Sequence, residues 1–300
     1  MRQWIVFLIC GVVSAGAGAA NVTARFELPA LMQPAVAEEH PGKVIWAELV
    51  TSDVARAERF YAALFGWTFE VIHTGDADYS VALLDGAPIA GLVQRAAQPG
   101  GHNQPAWLTF LSVRSVRDSA RRILAHGGKE LTPPRTYQRR GRQAVYADPQ
   151  GAVFAILHSS SGDPPDVLPA PGEWIWSALL SQDPGTDAAF YQDVFGFEVF
   201  ELPNEGPAQH LVLSTEQYAR ASLNALPAAS AAGGHPHWID FVRVSSVANS
   251  VATAQALGGR VLIEPHLDRH GGLMAVIADP AGAPIGVLEW NDSGSQGAPK

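Results

Sequence analysis

The amino-acid sequence predicts an α+β protein with two tandem domains, each built from two βαβββ units. Three observations support this prediction. The chain has 300 residues, more than one typical domain requires. Its second half repeats the motifs of its first half at a nearly constant spacing. Within each half, the order strand, helix and three strands occurs twice. Hydrophobic residues make up 47% of the chain, which is enough for a sizeable core.

The internal repeat is the clearest feature of the chain. The first copy contains Asp53, Phe60, Tyr61, Phe65 and Gly66, and the same residue types return 130 positions later as Asp183, Phe190, Tyr191, Phe195 and Gly196. A second set of seven residues recurs 131 positions later. Its members in the first copy are Trp107, Gly127, Gly128, Pro134, Asp148, Pro149 and Gly151, and their counterparts are Trp238, Gly258, Gly259, Pro265, Asp279, Pro280 and Gly282. One inserted residue explains all twelve matches. We interpret the chain as a tandem duplication of a unit of about 115 residues.

Each copy divides into two similar units. In the first copy, alternating apolar residues predict a strand over Lys43–Thr51, after which Asp53 can cap a helix over Val54–Leu64 that ends at Gly66. Three strands follow, at Thr68–Ile72, Tyr79–Leu84 and Pro88–Val93. The order restarts with a strand at Ala106–Val113, a helix at Val116–His126, and strands at Glu130–Pro133, Gln143–Tyr146 and Val153–Leu157. The second copy repeats both halves, from Trp174 and from His237.

The N-terminal segment has the layout of a secretory signal peptide. It carries one positive charge at Arg2, an apolar stretch from Trp4 to Val13, and the small residues Ala17-Gly18-Ala19 at a plausible cleavage site. Cleavage after Ala19 removes Cys10, the single cysteine, so the mature protein would form neither a disulfide nor a cysteine-based zinc site. We expect it to be secreted or periplasmic, with no membrane segment after cleavage.

Composition shifts predict the remaining boundaries. The expected organisation is a signal peptide over 1–19, a spacer over 20–42, a first domain over 43–158, a linker over 159–172, a second domain over 173–290 and a disordered tail over 291–300. The chain holds 20 Lys and Arg against 29 Asp and Glu, a net charge of −9, without a basic block. This balance disfavours nucleic acid as a partner. We expect a small-molecule ligand, and the sequence leaves open a monomer or a homodimer.

These residues resemble the vicinal oxygen chelate superfamily, which includes glyoxalase I, bleomycin-resistance proteins and extradiol dioxygenases. The resemblance rests on the strand–Asp–helix–Phe-Tyr–x-x-x-Phe-Gly pattern and on Asp-Pro-x-Gly before a last strand, and it spans residues 42–158 and 172–290. Trp46-Ala47-Glu48-Leu49 and Phe65-Gly66-Trp67 are similar to two-copy bacterial glyoxalase-like proteins. The resemblance implies mixed sheets curled into ligand-holding cups, with the helices outside.

The resemblance also implies where metal ligands would lie. Metal-dependent members place His, Glu or Gln side chains on the first and last strands of paired units. The corresponding positions in this chain are Trp46, Ala90–Gly91, Leu108 and Ala155 in the first copy, and Trp176, Ala221–Ser222, Ile239 and Gly286 in the second. None of these side chains belongs to the usual ligand set of a divalent cation. We therefore expect no metal site in either cup and no cofactor.

Alternation along the first strand selects the candidate site residues. Ile45, Ala47 and Leu49 form one apolar face suited to the helix, while Trp46 and Glu48 share the other face and would point into the cup. A carboxylate in an apolar cup should have a raised pKa, which suits Glu48 as a general base. The candidate ligand-binding residues are Trp46, Trp107, Trp176, His210 and Trp238. A structural role remains open for Glu48 and for the indoles.

Several other polar clusters need an interpretation. His235 and His237 precede a strand and could share a metal, but the sequence offers no third ligand. His266, Asp268 and His270 are read as loop residues. Arg139-Arg140-Gly141-Arg142 predicts a solvated basic turn, or an arginine at the mouth of the cup that pairs with a carboxylate.

The sequence supports several functional hypotheses. The first is an exported protein that binds a small, apolar or aromatic molecule in a metal-free cup. The second is a metal-independent isomerase or lyase that uses Glu48 as its base. A divalent-metal lyase or dioxygenase built on His235 and His237, and a purely structural role, remain as further alternatives.

Overall fold

A computed structural model describes residues 27–73, 78–95, 104–202, 210–226, 234–268 and 272–290. The predicted signal peptide, including Cys10, and the predicted tail lie outside the described residues. No described helix is long and apolar enough to cross a bilayer.

The first domain contains one eight-stranded mixed sheet in the order β2-β3-β4-β1-β5-β8-β7-β6. Its elements are β1 (Val44–Thr51), α1 (Val54–Phe65), β2 (Thr68–His73), β3 (Asp78–Leu84), β4 (Ala87–Gln94), β5 (Ala106–Ser112), α2 (Val116–Ala125), β6 (Lys129–Tyr137), β7 (Gly141–Ala147) and β8 (Val153–Ser159). The strand β1 pairs in parallel with β4 and antiparallel with β5, so the two βαβββ units join at the centre of the sheet.

The second domain repeats this topology, in the order β10-β11-β12-β9-β13-β16-β15-β14. Its elements are β9 (Trp174–Ser181), α3 (Pro184–Phe195), β10 (Glu198–Glu201), β11 (His210–Thr215), β12 (Tyr218–Ala225), β13 (His237–Arg243), α4 (Val247–Ala256), β14 (Arg260–Leu267), β15 (Leu273–Ala278) and β16 (Pro284–Glu289). The predicted α+β fold of four βαβββ units is confirmed.

Local signals in the sequence place the helix ends. Asp53 accepts a hydrogen bond from the Arg56 backbone N–H at 3.0 Å, and Asp183 caps the equivalent helix through Thr186 at 3.1 Å. Both helices end at a glycine in the left-handed region, Gly66 with φ 74° and its counterpart with φ 77°. A left-handed residue at this position favours glycine. The duplicated Asp and Phe-Gly motifs are therefore the start and stop signals of duplicated helices.

The helices lie on the convex faces of the sheets, and these faces meet each other. The core that includes Ala57 and Phe60 from α1 also contains Val251 and Ala254 from α4. A second core joins α2 to α3. The helices are thus outside the cups, as the resemblance implies, but they are sandwiched between the two sheets. The two concave faces consequently point away from each other.

The motif residues that the two copies share hold the domains together. The Tyr61 hydroxyl donates to Asp279 Oδ2 at 3.2 Å, and Tyr191 donates to Asp148 at the same distance. The other oxygen of Asp279 accepts three backbone N–H groups of its own loop. Each Asp therefore shapes the loop before the last strand of its own domain and binds the tyrosine of the other domain. This exchange explains why both motifs recur in both copies.

The described part of the predicted spacer is not loose. Residues 27–41 form no helix or strand, but Leu28 and Leu31 are buried against the first sheet. The backbone N–H groups of Leu31 and Met32 donate to Ser161 Oγ at 3.0 and 3.1 Å. We refer to residues 27–32 as the arm. The apolar contacts of Leu28, Leu31 and the partly buried Met32 were not visible as periodicity, because the arm has no regular secondary structure.

Candidate ligand-binding cups

The predicted metal-ligand positions lie on two neighbouring rows of each concave face. One row has Gly91 and Leu108 on either side of Glu48, and its counterpart has Ser222 and Ile239 on either side of Ala178. The other row contains the indole of each cup. In the first cup, Trp46 lies opposite Phe110, which pairs with Ala155. In the second cup, Trp176 lies opposite Phe241, which pairs with Gly286. Since directly paired residues point to the same face of a sheet, these side chains are neighbours.

This row does not fit a divalent metal ion. Indole, phenyl, methyl and hydrogen side chains are not among the oxygen, imidazole and thiolate donors that such ions prefer. In the second cup, a Cβ atom on Gly286 would lie 2.1 Å from Cδ1 of Phe241, so the phenyl ring covers the backbone there. The residues present therefore do not support the metal chemistry that the fold family implies.

One group of potential metal ligands lies outside the cups. Among the described residues, His40, Asp166 and Glu216 bring their ligand atoms within 4.8 Å of one another. Two cations already neutralise the group, because Lys43 Nζ lies 2.9 Å from Asp166 and Arg220 contacts both carboxylates. Burial alone would raise the pKa of Asp166, but hydrogen bonds from Arg220 and Lys43 lower it to about 2. We interpret this cluster as an ion-pair network between the domains.

Glu48 lies at the centre of the first cup, as the alternation predicts, and is 2% exposed. The Tyr79 hydroxyl donates to Glu48 Oε2 at 3.0 Å. Burial raises the pKa of Glu48, while the hydrogen bond from Tyr79 and the positive charge of Arg140 lower it in part. The tyrosine fits here only because Gly91 has no side chain, since a Cβ at Gly91 would lie 1.9 Å from the phenol oxygen.

Arg140 is the unexpected member of the first cup. Its guanidinium carbon lies 3.8 Å from the centre of the Trp46 ring, and the side chain is fully buried, whereas Arg139 and Arg142 are exposed. Its Nε donates to the backbone carbonyl of Pro29 in the arm at 2.7 Å. The basic turn is thus solvated at two of its arginines, and the third points inward.

The two cups differ in accessibility. The arm closes the first cup, where Trp46 is 1% exposed and a cavity of about 30 Å³ remains beside Leu28, Glu48 and Tyr79. This volume corresponds to about one water molecule. The equivalent Trp176 in the second cup is only half-buried. The duplicated indoles therefore lie in different environments and, in the described part of the chain, the indole of the second cup is the more exposed one.

Polar groups adjoin the Trp176 row in the second cup. Trp176 Nε1 and Asn224 Nδ2 both donate to Ser222 Oγ at 3.1 Å. His210 lies opposite Asn224 on the same face and contacts its amide oxygen. The predicted placement of His210 on the concave face agrees with this register. The second cup thus combines aromatic surface with a short polar edge.

Two of the candidate ligand-binding residues face away from the cups. Trp107 pairs with Leu49, which packs against the helices, and its Nε1 donates to the Tyr61 hydroxyl at 3.0 Å. Trp238 makes the equivalent contact with Tyr191 at 3.1 Å. Both indoles belong to the interface between domains, because residues at odd and even positions of a strand point to opposite faces.

Ile45 is a further correction. The sequence assigned it to the helix face with Ala47 and Leu49, but it packs in the cluster of the first cup with Trp46. An irregularity in the pairing between Val44 and Trp46 breaks the alternation at this point.

The histidine clusters provide no complete metal site. His235 is exposed and His237 is half-buried, with ring centres 6.3 Å apart, and the described residues bring no third potential ligand to them. His266 lies exposed on β14 rather than in a loop, while His270 lies outside the described residues.

Sequence reasoning did not select Tyr79, Asn224 or Phe241 as site residues, and it also missed the contacts of the arm. It considered Ser222 only as a position that corresponds to a metal ligand. Gly91 and Gly286 carried a usable signal, since a glycine inside a strand often marks the close approach of another group. The residues that approach them could not be identified without the register of the sheet.

Comparison with known proteins agrees with this geometry. A model of the Glyoxalase/Bleomycin resistance protein/Dioxygenase superfamily matches residues 43–156, and a glyoxalase-like domain model matches residues 177–288. The chain is 30% identical over 268 residues to the anthracycline biosynthesis protein DauV of Streptomyces sp. (strain C5), covering 84% of this chain and 95% of the relative. This protein belongs to the glyoxalase/bleomycin resistance/dioxygenase superfamily.

Other relatives extend the comparison. The "Putative glyoxylase CFP32" of Mycobacterium tuberculosis (strain CDC 1551 / Oshkosh) is 28% identical over 261 residues, covering 85% of this chain and 98% of the relative. The Mn(II)-bound glyoxalase of Novosphingobium aromaticivorans superimposes with a TM-score of 0.59 at 16% identity, over 84% of this chain and 83% of that chain. The 2,3-dioxygenase LapB of Pseudomonas sp. KL28 gives 0.58 at 14% identity, over 87% and 94%. At these identities, the solved structures show the shared fold alone.

Proposed function

We propose that this protein is exported and binds a small, apolar or aromatic molecule in the second cup without a metal ion. The observation that carries the proposal is the row Trp176–Phe241–Gly286, which replaces potential metal ligands with ring surface in a cup whose tryptophan is half-buried. Aromatic side chains provide large apolar area and favour offset or edge-on contacts with a ligand ring.

The polar edge of the second cup orients the bound ligand. Among the described contacts, Ser222 Oγ accepts hydrogen bonds from Trp176 and Asn224, which leaves its own proton for an acceptor on the ligand. Pockets for small molecules combine mostly apolar walls with a few placed polar groups. The ligand that best fits this arrangement is a planar ring system with a carbonyl or hydroxyl substituent.

The name of one relative guides the choice of test compounds. DauV is named as an anthracycline biosynthesis protein, and anthracyclines are fused aromatic ring systems that carry quinone and hydroxyl groups. Planar quinones are therefore suitable first probes for the second cup.

Isothermal titration with a panel of anthraquinones and anthracyclines, in buffer containing a chelator, tests the proposal. A ligand present at 100 times its Kd should stabilise the folded protein by about 2.7 kcal/mol. Trp176→Ala should weaken binding at least about tenfold, since it removes a stacking surface. Trp174→Ala is the matched control, because Trp174 lies two residues earlier and packs between the domains.

Two results would overturn the proposal. One is a panel that produces neither heat nor a shift in Tm. The other is binding that appears only after a divalent metal is added, together with a stoichiometric metal content in elemental analysis. If Trp174→Ala weakened binding as much as Trp176→Ala, the binding site would not be the second cup.

Export is tested separately. Expression of the full chain with fractionation of the cells should place the protein outside the cytoplasm with Ala20 as its first residue, as read by mass spectrometry. An uncleaved cytoplasmic protein would contradict export and leave the binding proposal intact.

A metal-independent isomerase or lyase is the second candidate function. It is favoured by one observation: Glu48 lines the remaining cavity of the first cup, and burial raises its pKa. A base with a raised pKa suits abstraction of a proton next to a carbonyl group. If such turnover is found, Glu48→Gln should abolish it while the fold, measured by circular dichroism, is retained.

A further inference from the structure

Arg140 presents an incomplete set of hydrogen bonds inside the first cup. The guanidinium is fully buried, and only its Nε has a hydrogen-bond acceptor, the carbonyl of Pro29. Tyr79 lies close enough to favour the charged form, yet neither Nη1 nor Nη2 reaches hydrogen-bond geometry with it or with another described residue. Leaving a buried charged donor unsatisfied is unfavourable.

The immediate neighbours of Arg140 do not supply the missing hydrogen-bond acceptors. Trp46, directly beneath the guanidinium, has a buried Nε1 that makes no hydrogen bond of good geometry among the described residues, although the Tyr79 hydroxyl lies near it. Glu48 acts on Arg140 only through space, and its Oε2 accepts a hydrogen bond from the Tyr79 hydroxyl rather than from the guanidinium. The two terminal nitrogens of this buried positive charge are therefore available to a ligand oxygen once the arm is displaced.

The arm alone covers this site among the described residues. The arm contributes Leu28 and Leu31, which are 2% and 5% exposed, and the Pro29 carbonyl on Arg140. None of its residues belongs to a strand of the sheet. Its backbone is held by Ser161, so its displacement breaks no strand pairing.

We propose that the first cup is a second ligand site, which takes a small molecule with a carboxylate on an apolar body and which the arm closes until the ligand displaces it. The planar guanidinium matches a carboxylate with two parallel hydrogen bonds. The apolar body takes the place of Leu28 in the apolar cluster of the first cup, to which Val81 and Val145 also belong. The arm then competes with the ligand for Arg140, because it supplies one carbonyl oxygen whereas the ligand supplies the two oxygens of a carboxylate.

The test compares the full chain with a variant that lacks residues 1–32. This deletion removes Leu28, Pro29 and Leu31 and keeps Val36, whose N–H donates to the Ser161 carbonyl at 2.9 Å. The probe is 1-naphthoate, and its uncharged amide is the matched ligand. Isothermal titration should show that the deletion tightens binding of naphthoate at least about tenfold, equivalent to about 1.4 kcal/mol, and that the amide binds neither protein.

Two substitutions assign the binding to this cup. Arg140→Gln in the shortened chain should abolish binding of naphthoate. Glu48→Gln should tighten it severalfold, because it removes the one carboxylate that opposes an anion at Arg140. A merely structural role of these residues would change Tm without moving the affinity in opposite directions.

A shortened protein that keeps its circular dichroism spectrum but binds naphthoate no more tightly than the full chain would overturn the proposal, as would equal binding of the amide. If the deletion does not fold, the full chain with Leu28→Ala and Leu31→Ala gives the same comparison, with a smaller gain expected. Failure of the quinone panel at the second cup leaves these outcomes unaffected, since Trp176 lies on the other sheet.

Discussion

We predict that Asp240 makes the stability of the protein depend on pH, because it is a buried carboxylate. It lies on β13, where the two domains meet, and is 1% exposed. Thr109 and Ser177 donate hydroxyl hydrogen bonds to its two oxygens at 2.8 and 2.6 Å. Burial raises the pKa of Asp240 to about 6, because the two hydrogen bonds offset only part of the cost of removing a carboxylate from water.

The magnitude follows from this shift. Relative to 3.8, a pKa of about 6 makes ionised Asp240 cost about 3 kcal/mol of folding free energy, since one pKa unit is worth about 1.4 kcal/mol. Because the folded pKa lies above the unfolded one, the stabilising contribution is fully present below about pH 4 and is lost as the pH rises through about 6. Asp240→Asn removes this dependence, and its amide can still accept from one hydroxyl and donate to the other.

The assay is urea denaturation of the protein and of Asp240→Asn at a series of pH values. The difference in unfolding free energy should move in favour of the variant by about 3 kcal/mol between about pH 4 and pH 7. Thr109→Val is the control, because it keeps the carboxyl and removes one donor. It should move the transition to higher pH. A difference between Asp240→Asn and the parent that stays flat over this range would refute the reasoning.

Three further predictions concern the interface, the first cup and the ion-pair network. Tyr61→Phe should lower the free energy of unfolding by about 1–3 kcal/mol in urea denaturation, because it removes the donor to Asp279 inside the interface. A change near zero would show that the shared motif does not hold the domains. Gly91→Ala should lower Tm, at a cost of about 1–3 kcal/mol, because its Cβ would lie 1.9 Å from the Tyr79 oxygen. An unchanged Tm would contradict that packing. Asp166→Asn should lower Tm at neutral pH and flatten the acid limb of a curve of Tm against pH. The reason is that a pKa lowered to about 2 gives stability that is present above about pH 4 and is lost as the pH falls through 2. An acid limb that stays as steep as in the parent would contradict this.

The fold was largely predictable because it depends on local and repeated signals. Asp53 and Gly66 mark the ends of a helix through their own backbone contacts, and their counterparts do the same 130 residues later. Alternation placed Trp46 and Glu48 in the cup because the side-chain period of a strand is two. Where the pairing is irregular, at Ile45, the same rule failed.

The candidate site was only partly predictable, because its partners are distant in the chain. Trp107 and Trp46 look equivalent as indoles at the starts of strands, but the register of β1 against β5 sends them to opposite faces. Arg140 was visible as a basic turn residue, and only the curvature of the sheet turns it over Trp46.

The amino-acid sequence by itself determined that the chain is a duplicated α+β protein and that indoles stand at Trp46 and Trp176, where the resemblance implies metal ligands, because residue types and short spacings decide helix caps, strand alternation and donor chemistry. Only the tertiary structure decided which cup is open. The arm fills the first cup, and the Phe-Tyr and Asp-Pro-x-Gly motifs of the two copies bind each other across the interface. The two tyrosine–aspartate contacts join residues 218 and 43 positions apart, so no local pattern encodes them, and they exist only once the sheets have curled and packed.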